Sequence, residues 1–558
     1  MKLSWQSKKT RLTALISGVA VGALLVGVTG SYLVFTFNHR APSFPPLKSH
    51  ADIPSRPMES FNSTLGMTMP ADQTPLATSG CPALSSNWVA QENQKPGVDM
   101  SPTDWSSLEL SNAAGSALWL SKSSVTCGDT VAIHASMYES QRNPDPAGPR
   151  TFVAWRIGYY GGSGARQVWK SKPVNLKKLK VTTAHDATMY TEAEWPTNLT
   201  FTVGKDWTPG FYLIISMSPF GKIENAAPLI VRSPIGSSKL VMMQSTFTWQ
   251  MYNSFGGRSA YEGPGADGQP DDDERSRVAS FDRPMVGSGA YAIQRDVIPF
   301  LQFSEENGIN IDQVSDLDVD QSPSLLTHYN GVILGGHAEY FTHRMFDSFI
   351  AARNQGINIA IFGGNTAYWQ TRLATSPTGP NRHLIMYRSS TQDPDTNLND
   401  ITIEFANNRL NTPPSLFTGE ETDAVHVYGD LKPVSIPSWL GIPSNSVIDQ
   451  ISSDTEAEEV KNEVAAPPGI HVIFSGAMHW RDPASDSSLK YTPTGQSSWY
   501  TTPSGSAVFN AGLTTWSCNL SPSCVDTLYG AQGQLTVQKV TLAVLNLWQK
   551  PHEGAVLK

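Results

Sequence analysis

Two apolar runs, HYNGVILGG at 328–336 and INIAIFGGN at 357–365, each run into a pair of glycines. Runs this short and this continuously apolar read as strands buried on both faces. Paired glycines free the backbone for a sharp turn at the strand end. KLVMMQS at 239–245 reads as another such strand, and Ala292–Asn307 and Thr342–Gln355 read as helices ending at Gly308 and Gly356. Strand–helix alternation of this kind predicts an α/β fold with a parallel sheet covered by helices. Sites in such sheets form beyond the carboxyl ends of the strands. The turns GGHAEY and GGNTAYW are therefore the places to look for chemistry.

Upstream the grammar differs. VAIHASM, LTFTV, FYLIISM and PLIVR alternate in short runs between turn residues, which predicts a β-sandwich over 81–235 and an α/β domain over 236–558. TFVAWRIGYYGGSGARQVW at 151–169 reads as a strand entering a glycine-rich corner. Arg156 and Arg166 bracket it as candidate anion or carbonyl ligands. Residues 380–500 are rich in loops, AVFNAGLTTW is a late strand and turn, and the chain ends in a helix.

Leu12 to Phe37 holds no charged residue, with Lys2, Lys8, Lys9 and Arg11 before it and Arg40 after it. At about 1.5 Å per residue this span exceeds a hydrocarbon core of about 30 Å. Residues 1–37 thus read as a cytoplasmic tip and a single-pass signal anchor in the inner membrane, with the body exported; a cleaved signal peptide is the alternative. Residues 38–80, rich in Pro, Ser and Thr, read as an extended, disordered stalk. Four cysteines suit an oxidising compartment. Locality favours Cys81–Cys127 and Cys518–Cys524. A net charge of −9 argues against a nucleic-acid partner.

Seven co-linear segments carry a resemblance: WRIGYYGGSGAR, EWPTNLTFTVGKDWTPGFY, TWQMYNSFGGRSAY, SFDRP, GGHAEYFTHRMFDSF, GINIAIFGGNTAYWQTR and VFNAGLTTW. Together they resemble the N,N-dimethylformamidase large-subunit-like family across roughly residues 120–550. The resemblance implies a β-sandwich beside a domain of the class I glutamine-amidotransferase type. It implies amide hydrolysis at a mononuclear iron held by two tyrosines and a glutamate. By position, Tyr368 and Tyr329 match the tyrosines, and NSVIDQI puts Val447 where the glutamate belongs, with Glu420 or Glu421 as substitutes. A ferric ion short of that carboxylate loses a ligand and charge neutralisation. The iron site is accordingly expected to be weak or absent, with His337 as a compensating third ligand.

The GGHAEY turn holds no Cys or Ser, so an acyl-enzyme route lacks its nucleophile there. His337 is the candidate general base, Glu339 its pKa-tuning partner, and Asn365 and Asn510 candidate oxyanion donors. Each of these also suits plain turn-tying by hydrogen bonds. The expected function is hydrolysis of C–N bonds in small amides. The alternative is a cell-surface or periplasmic protein binding an envelope component on an inert hydrolase scaffold. DPDTNLNDITIE at 393–404 has calcium-loop spacing, but Leu398 stands where glycine is needed. His479, Trp480 and the DDDE run at 271–274 carry no placed partner.

Overall fold

The computed structural model describes residues 55–76, 79–100, 115–138, 148–183, 188–265, 269–461, 465–482, 491–521 and 529–557. The expected anchor lies outside these residues. Among the described residues, no helix is long and apolar enough to cross a membrane.

The first layers are antiparallel. Strands β1 (Gly115–Leu120), β2 (Thr130–Tyr138) and β5 (Thr197–Thr202) form a three-stranded sheet. It faces a six-stranded sheet built on β3 (Thr151–Ile157), β4 (Gly164–Lys170), β6 (Gly210–Met217) and β7 (Ile223–Val231). Alternation along β3 and β6 explains how the larger sheet is buried twice. Phe152, Ala154, Tyr212 and Ile214 point into the core shared with the smaller sheet. Val153, Trp155, Leu213 and Ile215 point the other way, into the core of the rest of the molecule. The glycine corner after β3 is structural. Arg156 pairs with Glu305 at 2.7 Å and Arg166 with Glu92 at 2.7 Å.

The second part is organised by one nine-stranded sheet. β8 (Leu240–Gln244) is followed by helix α1 (Thr246–Tyr252), and helix α2 (Ile298–Glu306) precedes β9 (Ile311–Ser315). Next come β10 (Gly331–His337), α3 (His343–Asn354) and β11 (Asn358–Gly364). The chain then runs through β12 (Glu421–Pro433), β13 (Ile448–Glu459), β14 (His471–Trp480), β15 (Thr494–Thr501) and β16 (Ala507–Asn510) to helix α4 (Ala531–Trp548). The strand order is β9-β8-β10-β11-β16-β15-β14-β12-β13. Pairing is parallel from β9 to β16 and antiparallel from β16 to β13.

This corrects the expected fold class. An α/β fold of the glutamine-amidotransferase type is not what the chain forms: 34% of it is strand and 22% helix, and antiparallel pairing prevails. Parallel strands need long crossovers, and helices supply them up to β11. Between 421 and 510 the chain instead returns directly from strand to strand, so the sheet grows on by antiparallel addition. α4 covers the sheet with Val537, Val540, Val544 and Trp548, three and four residues apart.

Residues 55–76, expected within the free stalk, lie against this body. Phe61 is buried beside Tyr500 and under the Arg353 guanidinium, and Asp72 takes the Ser324 hydroxyl and amide. The earlier stalk residues lie outside the described ones. Cys81 and Cys127 form a disulfide. Cys518 is also disulfide-bonded, while Cys524 lies outside the described residues.

Candidate functional site

β10 and β11 run side by side in register, so His337 pairs with Gly364 at their carboxyl ends. The glycines make that approach possible. A Cβ on Gly363 would lie 1.6 Å from the Gly336 carbonyl oxygen. The turns that follow bring His337, Glu339 and Asn365 together, as the motif positions require. Thr248 on α1 pins the first turn, its hydroxyl accepting the Glu339 amide at 3.0 Å and the Tyr340 amide at 3.3 Å. Asn365 adopts a left-handed backbone, φ 50°, and its side-chain oxygen accepts the Thr422 hydroxyl at 2.7 Å.

His337 Nε2 is the meeting point. Glu339 Oε2 lies 3.3 Å away, Glu456 Oε2 3.2 Å and Asn365 Nδ2 3.2 Å. Burial alone would push the imidazole down, but the carboxylates of Glu456 and Glu339 outweigh it and raise it to about 9. Burial works against ionisation of Glu456 too, yet the His337 charge holds its pKa below the usual value. Glu339 is raised, by burial first and with Glu456 adding to it against the pull of His337. Across the trio the imidazole is therefore pushed up, Glu456 held down and Glu339 pushed up.

Three phenols complete the cluster. The Tyr261 hydroxyl stands 2.7 and 2.6 Å from the two oxygens of Glu339. The Tyr340 hydroxyl donates to it at 2.9 Å. Tyr252 stacks on Tyr261 at 4.2 Å between centroids and lies 5.4 Å from the His337 ring. Burial, then the Glu339 charge, pushes the Tyr252 and Tyr261 phenols well up.

The expected metal set is not assembled. Tyr329 sits at the start of β10, the far end from His337, and gives its hydroxyl to Asp312 at 3.1 Å. Tyr368 turns to Glu404 at 3.3 Å. Val447 directly precedes β13, nine residues from Glu456 and roughly 30 Å away along an extended strand. Glu420 is fully buried beside Glu458, and Glu421 takes the Ser415 hydroxyl. The carboxylates at the site are Glu339 and Glu456. Asn510 supports rather than lines it, donating to Glu458 at 2.8 Å.

Two phenols and a carboxylate in mutual contact are the donor set that the resemblance calls for. They suit a hard ferric ion, which takes them with their protons released. The set that fits is Tyr252, Tyr261 and Glu339. Tyr340 fits less well, because its oxygen already accepts the Arg388 guanidinium at 2.5 Å and a second cation there meets like charge. Sequence reasoning passed over Tyr252, Tyr261 and Glu456. The first two were legible: they flank the glycine pair within TWQMYNSFGGRSAY, one of the matching segments.

Glu456 comes from β13, whose end is strapped to the segment after β16. Glu458 N donates to Gly512 O at 2.9 Å, Ala457 bridges Leu513, and Glu456 N donates to the Thr514 hydroxyl at 3.0 Å. The other flagged features have local explanations. Asp393 Oδ2 is taken by Arg372, the Thr402 amide and the Thr402 hydroxyl, and Asp395 and Asn397 cap successive turns, so the calcium spacing is spent internally. His479 is exposed and lies beside Tyr428. Asp271–Asp273 form an exposed turn.

The family model described as N,N-dimethylformamidase beta subunit-like, C-terminal, matches residues 151–527. No curated protein matches the chain. Among solved structures, the chain is similar to a Paenibacillus sp. cycloisomaltooligosaccharide glucanotransferase complexed with cycloisomaltoheptaose. The identity is 11%, over 58% of this chain and 62% of that one, with a TM-score of 0.16. A likeness that loose carries no weight for fold or site.

Proposed function

The chain belongs to the N,N-dimethylformamidase beta subunit-like family, and from that membership and the site geometry we propose that it hydrolyses C–N bonds in small amides. One observation carries the reading. Two phenols from α1 and the loop after it, a carboxylate, and an imidazole clamped between two acids converge at the turns that end β10 and β11. Tyr252, Tyr261 and Glu339 are the residues that would hold ferric iron. Bound there, it would polarise an amide carbonyl and acidify a water molecule.

The chain's own groups manage the protons. Glu456, kept ionised by His337, is the acceptor for the proton of an attacking water. His337, charged below about pH 9, returns a proton to the departing amine nitrogen. Asn365 steadies Glu456 from the opposite turn, its side-chain amide hydrogen-bonding that carboxylate. Burial of His337 and Glu339 at 7% and 3% exposure keeps competing water scarce. The inert-scaffold reading rested on a missing carboxylate and a missing nucleophile; Glu339 and Glu456 supply carboxylates, and an attacking water needs no side-chain nucleophile.

The test is an assay of the purified protein on small primary and N-alkylated amides, with and without ferric iron. Turnover is expected only with iron, alongside a visible tyrosinate-to-iron band that Tyr261→Phe abolishes. His337→Asn should keep the iron and lose about 10²–10⁴-fold in kcat. Full iron loading without turnover of any amide would overturn the hydrolase reading.

A further inference from the structure

Arg388 reaches the phenol cluster from outside the strand-end turns. It is a non-glycine residue in left-handed backbone, φ 57°, a conformation that persists only where its surroundings hold it. Those surroundings are aromatic. Its guanidinium carbon lies 4.0 Å from the Tyr261 ring centroid and 5.0 Å from that of Trp369. Two ring contacts fix the plane of the fork and aim Nη2 at the Tyr340 oxygen, 2.5 Å away.

The chemistry of the donors then sets a direction. A guanidinium only donates. The Tyr340 oxygen must therefore accept from Arg388, and its single hydrogen is left for Tyr261, 2.9 Å on. Tyr261 in turn has Glu339 within 2.7 Å to receive its own hydrogen. The result is a one-way relay, Arg388 to Tyr340 to Tyr261 to Glu339.

We propose that Arg388 and Tyr340 are positioning residues that deliver a hydrogen bond to the Tyr261 oxygen and so set its donor strength toward iron. This rests on the reading above that Tyr261 is an iron ligand. Were Tyr261 to give up its own hydrogen to a ferric ion, the Tyr340 hydrogen would remain in place. It would draw electron density from the phenolate oxygen and lower the energy of the electrons that produce the charge-transfer band. Outer partners of this kind orient ligands and tune the metal they hold.

The experiment is spectroscopic and is run on the iron-loaded full chain. Tyr340→Phe removes one oxygen and keeps the ring, so it is the primary variant. Arg388→Met and Arg388→Lys test the donor behind it, with a thermal melt to verify folding. Tyr340→Phe and Arg388→Met should each move the band to longer wavelength and weaken iron about 10–100-fold. The double variant should shift the band no further than Tyr340→Phe alone, because Arg388 acts through Tyr340. Lysine cannot stack as a planar fork and should not restore the wild-type band. Wild-type protein with a band that neither Tyr340→Phe nor Arg388→Met moves overturns this assignment and leaves the iron reading intact. Wild-type protein without iron or band overturns both.

Discussion

Glu458 illustrates how a single buried carboxyl is held. It is 1% exposed and receives the Thr366 amide at 3.0 Å and the Asn510 side-chain amide at 2.8 Å. Burial dominates these donors and raises it to about 7, with Glu456 two residues away adding to the rise. The sign follows. The unfolded carboxyl ionises near its ordinary value while the folded one keeps its proton, so stability falls as pH rises from about 4.5 to about 7 and levels off above. A rise of this size corresponds to about 3 kcal/mol across that window. Glu458→Gln should flatten the slope. A fixed offset is also expected, because one amide hydrogen is forced toward the Asn510 donor. Urea melts at pH 4.5, 6 and 8 read both, and an unchanged slope would refute the assignment to Glu458.

At the scale of elements, the close contact between β10 and β11 decides whether there is a site. Gly363→Ala puts a methyl into the Gly336 carbonyl, a clash with backbone that no rotamer relieves. The expected cost is about 1–3 kcal/mol, with loss of iron binding exceeding the loss of fold, measured by denaturant melt and metal analysis on one preparation. These strands were legible because apolar runs closed by glycine pairs have few other uses. The antiparallel half was not. β12 and β13 pair with register shifts at four points between Thr422 and Leu431, and each shift breaks the alternation that marks a strand. Glu456 was hidden by those bulges. Tyr252 and Tyr261 stand on α1 and the loop after it rather than at a strand end, so their motif marks them while the strand pattern does not. Tyr329 matched a family tyrosine by position, but it stands at the start of β10, the end away from His337.

For the molecule as a whole, the sandwich is fastened in two ways. Its larger sheet is buried on both faces, and the Cys81–Cys127 disulfide ties its start to the smaller sheet's core. Closing a loop over a sequence separation of 46 restricts the unfolded chain by about 4 kcal/mol in the chain-entropy account. Cys127→Ser should lower the melting temperature, and reductant should have no further effect of that kind at this bond. A melt unchanged by Cys127→Ser would place the fastening entirely in the packed sheet face. The strapping of β13 to residues 512–514 has a consequence in time. Tyr252, Tyr261 and Glu339 emerge early from a ribosome or a translocation channel. Glu456 follows on β13, which pairs with β12, and its strap comes only when the segment beyond β16 is out. The sheet cannot close sooner either, because β15 and β16 insert between β11 and β14. An emerging chain therefore carries these phenols and acids long before the sheet that brings them together has closed.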